Sequence, residues 1–307
     1  MKIGVVIPTY RGERWIRGCL DSLRTACTLP TEIIVVDNAS DDQTPAIITQ
    51  EFPEVTLIRN SANRGFAAAI NCGLRVTVSR GCDFGVILNQ DMLVPADWLL
   101  TLINNSQVDQ PAVFSALELT YEGTGMEPAV RKNLFDQAPT LFDDILLRDL
   151  KDRYRVFTAY GGCLAIHRDV LKQVGFFDEN FFLYCEDIDY CRRATRLGIA
   201  VWLLPQWRVR HKSSMTTQGG YSDPGINRHN RRGWIMLALK DPVRPYWQSY
   251  LATVKNTMKS LVAGALRLNP NTTRETISDL VWLFLNRRSI LSARMRDSKI
   301  INAWPPL

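Results

Sequence analysis

The sequence lacks both glycine-rich loops that commonly hold nucleotide phosphates. The turn after its first apolar run reads Pro8-Thr9-Tyr10-Arg11-Gly12-Glu13-Arg14-Trp15, without the G-x-G-x-x-G spacing that lets a backbone approach a pyrophosphate, and no Walker-type loop occurs. A Rossmann dinucleotide site and a P-loop are thereby excluded. The 7 cysteines form no C-x-x-C pair, which argues against a zinc site or a disulfide framework and for reduced thiols in a cytosolic setting. No stretch approaches the roughly 18 uninterrupted apolar residues that span a bilayer. The apolar run Ile3 to Ile7 stops at Pro8, so no signal peptide is expected. There is no internal repeat or low-complexity segment, and the basic residues form no recognisable nucleic-acid fold or stacking platform.

What is present is ordinary globular material: 307 residues, 46% hydrophobic and 22% charged, enough for one large domain and an appendage. The net charge of +6 is uneven, because residues 240 to 299 hold 11 Lys and Arg against 4 Asp and Glu. That stretch alone accounts for a surplus of 7, so the basic character belongs to the tail.

Lys2 to Ile7 predicts a strand ended by Pro8-Thr9-Tyr10, after which Trp15, Ile16, Cys19, Leu20 and Leu23 recur at helical spacing. Glu32 to Val36 predicts a second strand that releases Asp37-Asn38-Ala39-Ser40 before a helix with Asp42 as cap and Pro45 in its first turn. Val55 to Ile58 predicts a third strand, followed by Asn60-Ser61-Ala62-Asn63-Arg64-Gly65 and an alanine-rich helix over Phe66 to Val78. The apolar run after Phe84-Gly85 predicts a buried strand broken off by Asn89-Gln90-Asp91. This alternation implies an α/β fold with parallel strands, right-handed crossovers and polar residues gathered along one sheet edge. Residues Thr120 to Tyr154, with Gly123, Gly125, Pro128 and Pro139, read as a long loop insertion suited to varying substrate contacts.

Four places carry candidate chemistry. Asp91, at the C-terminal end of a strand, has the position to hold a divalent cation, or else to cap the helix near Trp98 to Leu102. Asp37 has the position to accept hydrogen bonds from a ligand, or to form a turn within Asp37-Asn38-Ala39-Ser40. Glu186-Asp187-Ile188-Asp189 follows the apolar residues Phe181 to Tyr184, read as a strand, and opens a helix stopped by Gly198. Carboxylates there suit either the helix dipole or a general base. His211 lies after a short strand over Ala200 to Leu204 and is either an ordinary surface or core histidine or a functional one, with Arg210 and Lys212 beside it adding positive charge suited to a leaving diphosphate. His167 and His229 read as structural or incidental.

Taken together, the stretches VVIPTYRGERWIRGCLDSL, EIIVVDNASDD, NRGFAAAIN, VILNQDM, Gly161 to Arg168, and GFFDENFFLYCEDIDYCRRATRLG resemble the inverting GT-A glycosyltransferases of family 2, especially the bacterial rhamnosyltransferase-like branch. The resemblance covers most of residues 1 to 217 and ends near VRHKSSMT. It implies a GT-A fold, with a Rossmann-like mixed central sheet flanked by helices. It also implies a nucleotide-diphosphosugar donor, dTDP-rhamnose or a UDP-sugar, a divalent metal, Mg²⁺ or Mn²⁺, and inversion at the anomeric carbon. Carried over by position, Asp187 is the general base, and Asp91 and His211 meet the metal. Pro8, Thr9, Tyr10, Asp37, Ser40, Asn63, Gly65, Asn89 and Gln90 form the donor side, and Gly162, Glu186 and Asp189 are acceptor or orienting positions. Asn89 and Gln90 stand where many members have Asp or small residues, leaving Asp91 as the triplet's single carboxylate.

These readings divide the chain into a nucleotide-sugar-binding and catalytic domain over 1–233 and a basic, amphipathic helical extension over 234–307. In the extension Leu251, Val254, Met258, Leu261, Val262 and Ala265 form one stripe, and Val281 to Leu285 runs into Arg287-Arg288. That pattern suits an anionic membrane surface, packing on the catalytic domain, or a homodimer. Arg228, Arg231 and Arg232 are candidates to close over a donor diphosphate. The expected protein is a cytoplasmic enzyme, at the inner face of the cell membrane if the tail docks there, that builds a bacterial surface glycan on a saccharide or lipid-linked saccharide. The alternative is a nucleotide- or glycan-binding pseudoenzyme of the same fold. No nucleic-acid partner is expected.

Overall fold

The computed structural model describes residues 1–26, 31–106, 110–212, 224–266 and 270–302. The last residues of the resemblance, 213–216, and Tyr221 lie outside this set, as does the side chain of Ala265. Strand β1 (Ile3–Thr9) is buried along its whole length, as a central strand covered on both faces must be. It pairs in parallel with β2 (Thr31–Asp37) and β4 (Phe84–Leu88), and β2 pairs in parallel with β3 (Thr56–Arg59). The expected parallel arrangement stops there. Antiparallel to β4 runs β8 (Cys163–His167), and antiparallel to β8 runs β6 (Val113–Thr120), so the sheet is mixed.

Strand β9 (Val201–His211) runs parallel to β6, while β5 (Met92–Leu93) and β7 (Tyr154–Val156) pair with it in antiparallel fashion. It is longer than the apolar run Ala200 to Leu204 implied. A register shift opposite Ala116 and Leu117 takes up Pro205 to Trp207, and the strand continues to His211. Met92 lies opposite His211 in that register, which brings the histidine beside the end of the Asn89-Gln90-Asp91 turn.

Alternate residues of β1 feed the two faces of the sheet. Val6 packs in one core with Ile70 and Leu74 of α3 (Phe66–Ser79) and Tyr190 and Cys191 of α8 (Glu186–Arg196). Val5 and Ile7 pack in the other with Ile16, Leu20 and Leu23 of α1 (Ile16–Ala26) and Trp98 and Leu102 of α4 (Trp98–Asn105). Helix α2 (Thr44–Glu51) begins with an N-terminal proline as expected, and Asp42 accepts from the Thr44 amide at 3.0 Å. The stretch read as a loop over Thr120 to Tyr154 instead carries α5 (Pro128–Gln137) and α6 (Thr140–Leu147). Its prolines start helices rather than break them: Pro128 sits in the first turn of α5, where Glu127 caps the amides, and Pro139 is the N-cap of α6. Helix α7 (Arg168–Val174) follows β8, with His167 capping the Asp169 amide, a structural role as expected.

The boundary drawn at residue 233 falls inside α9 (Pro224–Lys240). With α10 (Tyr246–Leu266) and α11 (Pro270–Asn302), α9 packs against the turn that precedes α8, through Phe181, Cys185, Met236, Leu237, Leu283 and Ile290. Beneath this apolar contact Lys240 is buried, with its Nζ 2.6 Å from Asp178, 2.7 Å from Asp189 and 3.1 Å from Asp297. Burial opposes the charge on Lys240, but the three carboxylates outweigh it and raise its pKa. Arg193 completes the cluster, donating to Asp189 at 2.9 Å and to the Val174 carbonyl.

Removing one member of a buried ion cluster strands its partners without compensation. Lys240→Met is therefore expected to destabilise the full chain by about 3 to 5 kcal/mol, measured by urea unfolding. An unchanged unfolding midpoint would mean that the cluster does not hold α9 and α11 in place.

Candidate active site

Above the ends of β1, β4, β6 and β9 lies a cavity of about 410 Å³. Pro8, Thr9, Tyr10, Asn63, Gly65, Asn89, Gln90, Asp91, Gly162, Glu186, Asp187 and His211 all line it. Of the positions that the resemblance made base, metal, donor, acceptor or orienting residues, Asp37, Ser40 and Asp189 do not. Asp37 is fully buried, with both carboxylate oxygens 3.3 Å from the Ser40 amide, so it forms the turn that its sequence also allowed. The Ser40 hydroxyl is engaged by the Arg11 amide at 2.9 Å. Asp189 faces the Lys240 and Arg193 cluster on the other side of α8.

The wall at the ends of β1 and β4 is built by side-chain amides. Gln90 accepts from the Thr9 hydroxyl and from the Tyr10 amide, and returns a bond to the Tyr10 carbonyl at 3.2 Å, joining the ends of β1 and β4. Asn38, which the sequence reading passed over, lines the cavity and organises the loop before α3. Its Nδ2 donates to Asn63 at 2.9 Å and to the Gly65 carbonyl at 3.0 Å, while its Oδ1 accepts from Asn60 and Arg64.

Asp187 stands on the opposite wall. The apolar residues before it form no strand; they turn, with Tyr184 at φ 69° and Cys185 at φ 72°, conformations that cost energy in residues other than glycine. This turn directs the Asp187 carboxylate toward Gly161, whose amide donates to Oδ2 at 2.7 Å, while the Ile188 amide donates to Oδ1 at 2.7 Å. Burial pushes its pKa up to about 6, and the two amides hold it from rising further. Glu186 is more deeply buried, and burial together with the charge of Asp187 drives its pKa well above the usual carboxylate range.

At the floor, His211 bridges two carboxylates. Its Nδ1 is 2.7 Å from Glu118 Oε2, and its Nε2 is 3.3 Å from Asp91 Oδ1 and 3.4 Å from Asn89 Nδ2. Burial opposes its charge, yet Glu118 and Asp91 prevail and push its pKa up to about 10. Asp91 caps no helix, since the N-cap of α4 is Asp97. Its Oδ2 is buried without a hydrogen-bond partner, as a cation ligand would be, but among the described residues no group of three or more His, Cys, Asp or Glu is arranged to hold a metal unaided. Glu118 was missed from the sequence, although a lone acidic residue in the apolar run Val113 to Leu119 was the available signal.

Two of the three arginines expected over the donor are otherwise engaged. Arg231 and Arg232 pair with Asp279 of α11, and Arg228 is exposed. Arg210 packs beside Gly123, and Lys212 lies 3.7 Å from Glu122, both off the cavity wall. His229, read as incidental, stacks on Phe182 at the cavity's rim, with ring centroids 4.5 Å apart.

The chain is 27% identical over 280 residues to an N-acetylglucosaminyl-diphospho-decaprenol L-rhamnosyltransferase of Mycobacterium tuberculosis, covering 80% of this chain and 87% of the relative. A dTDP-rhamnosyl transferase of Shigella flexneri is 22% identical over 215 residues, 68% of each chain. Among solved structures, the mannosyltransferase of Pyrobaculum calidifontis in complex with GDP-Man and Mn²⁺ has the same GT-A fold, with a TM-score of 0.58 at 18% identity, over 97% of this chain and 84% of that one. The sequence signature of glycosyl transferase family 2 matches residues 4–175, and the chain belongs to that family and is a glycosyltransferase.

Proposed function

We propose that this glycosyltransferase is metal-dependent and inverting, and that it moves a sugar from a nucleotide diphosphate, dTDP-rhamnose or a UDP-sugar, to a hydroxyl of a saccharide or lipid-linked saccharide during synthesis of a bacterial surface polysaccharide. The observation that carries this reading is that Asp187, with its raised pKa and two amide bonds, shares one cavity with Asp91 and His211. The names of the two rhamnosyl-transferring relatives support the donor and acceptor classes, and the Mn²⁺ of the mannosyltransferase supports the cation.

In this reading the donor lies along Pro8, Thr9, Tyr10, Asn63 and Gly65, with Asn38 and Gln90 shaping the wall and Asp37 supporting it through the Ser40 amide. Asp91 and His211 are the residues that would hold the cation, which supplies positive charge to the donor diphosphate; one or two side chains suffice when phosphate oxygens complete the set. Asp187 accepts the proton of the acceptor hydroxyl as that oxygen attacks the anomeric carbon, while the bond from that carbon to the diphosphate oxygen breaks and the nucleoside diphosphate leaves. The Gly161 and Ile188 amides fix the carboxylate's direction, so that orientation is prepaid. Burial and the charge of Asp187 raise the Glu186 pKa, which opposes a second negative charge beside Asp187.

The C-terminal helices suit an anionic membrane carrying a lipid-linked acceptor. Trp247, Leu251, Leu266, Phe284 and Leu285 are all more than half exposed, on a segment with a surplus of 7 positive charges. No helix among the described residues is long and apolar enough to cross a membrane, so contact would be peripheral, at the cytoplasmic face.

Asp187→Asn is expected to leave donor binding within a few-fold while slowing transfer by about 10² or more in single-turnover assays; parental rates would remove Asp187 from the base role. In calorimetry with UDP or dTDP and Mn²⁺, Asp91→Asn is expected to abolish the metal-dependent part of the binding, and unchanged affinity would deny it a cation. For the membrane, Trp247→Ser with Phe284→Ser and Leu285→Ser is a better test than truncation, which would open the Lys240 cluster. The triple variant should fail to float with anionic vesicles that carry the parent up; equal flotation, or a parent that never floats, would contradict the docking face.

A further inference from the structure

Glu118 is a buried carboxylate in the floor of the cavity to which neither sequence nor family assigns a role. It is 3% exposed and lies in β6, two residues before the Thr120 that pairs with His211. Its Oε2 is 2.7 Å from His211 Nδ1, and its Oε1 has no hydrogen-bond partner among the described residues. Room for it comes from Gly162, where a Cβ would fall 2.7 Å from Glu118 Oε1. A carboxylate only accepts, so Nδ1 of His211 must donate, whatever the charge of the ring. The opposite nitrogen, Nε2, is thereby turned toward Asp91 Oδ1, 3.3 Å away, and lies 3.4 Å from the Asn89 amide nitrogen.

We propose that Glu118 is a positioning residue for cation binding: it holds the Nδ1–H of His211, so that Nε2, whose proton a bound cation would displace, and the Asp91 carboxylate face the same space. The proposal rests on the metal-dependent reading of the site and adds to it the reason why two protein ligands suffice. A histidine free to rotate would offer Nε2 to that space only part of the time, and outer carboxylates of this kind typically matter by about 10- to 100-fold in metal affinity.

The test uses the full chain with Mn²⁺ as the probe, in the presence of UDP, reading free Mn²⁺ by electron paramagnetic resonance. Glu118→Gln retains a side-chain oxygen that accepts the Nδ1–H, and Glu118→Leu retains none. Binding within about threefold of the parent is expected for Glu118→Gln, and a loss of about tenfold or more for Glu118→Leu. The ¹⁵N shifts of the ring in the Mg²⁺-loaded protein should report a protonated Nδ1 in the parent and Glu118→Gln, and lose that signature in Glu118→Leu. Parental Mn²⁺ affinity in a folded Glu118→Leu protein would overturn the proposal, as would equal losses in the two variants, which would make Glu118 a ligand or a source of charge. A parent that binds no Mn²⁺ would overturn the metal-dependent reading itself, whereas binding that Asp91→Asn weakens and Glu118→Leu does not would overturn the role of Glu118 alone.

Discussion

The turn Phe182 to Cys185 is held between two glycines, and the placement of the wall that carries Asp187 depends on that grip. On one side, Phe66 donates its amide to the Phe182 carbonyl at 2.7 Å, and a Cβ on Gly65 would fall 2.5 Å from that same oxygen. Gly65 also has φ +89°, which a side chain would resist. On the other side, a Cβ on Gly233 of α9 would lie 2.9 Å from Cys185 Sγ and 3.0 Å from the Tyr184 carbonyl. The clamp supports two consecutive left-handed residues, Tyr184 and Cys185, which would relax if they were free. It delivers Asp187 to the Gly161 amide at the sheet edge. It also makes α9 a wall of the site, because Asn230 and Trp234 line the same cavity.

Behind this turn the chain buries charge in two ways. On the far side of α8, Asp189 is matched by Lys240 and Arg193, a closed cluster in which each carboxylate has a cation beside it. On the cavity side the balance is left open. Glu186 Oε2, Asp91 Oδ2 and Glu118 Oε1 are buried without partners among the described residues, and His211 is set between Asp91 and Glu118. Unmatched carboxylates are costly in a folded protein, so their concentration in one cavity marks the place where a cationic or proton-bearing ligand is due. The same helix thus fastens the C-terminal helices with one face and opens the reactive space with the other.

Much of this was legible in the sequence. The first four strands, the helices between them and the polar residues at the strand ends follow from apolar periodicity, and the Asn89-Gln90-Asp91 and Glu186-Asp187 stretches were found where the cavity lies. What was not legible came from interactions between distant segments. The antiparallel entry of β8 beside β4 has no local signal. Proline and glycine around Thr120 to Tyr154 suggested a loop, because Pro128 and Pro139 mark helix starts as readily as helix ends. Asp37 was read as a ligand contact or a turn former; it is buried off the cavity wall, with both oxygens 3.3 Å from the Ser40 amide and Oδ2 3.6 Å from Arg59 Nε, contacts that only the fold shows. Glu118 was hidden for a related reason: it sits in an otherwise apolar strand, and only the fold shows that His211 stands across from it.

The central claim, that a desolvated Asp187 waits in this cavity as a base, is tested most directly by titrating its carboxyl carbon by ¹³C nuclear magnetic resonance in the full chain, with Asp187→Asn to assign the signal. A midpoint of about 6 is expected, because burial raises the pKa while the Gly161 and Ile188 amides restrain it. Transfer should then fall as the pH drops through that midpoint, since the protonated acid cannot accept the acceptor's proton. A midpoint near the ordinary value of about 3.9, with transfer unchanged down to that pH, would contradict it.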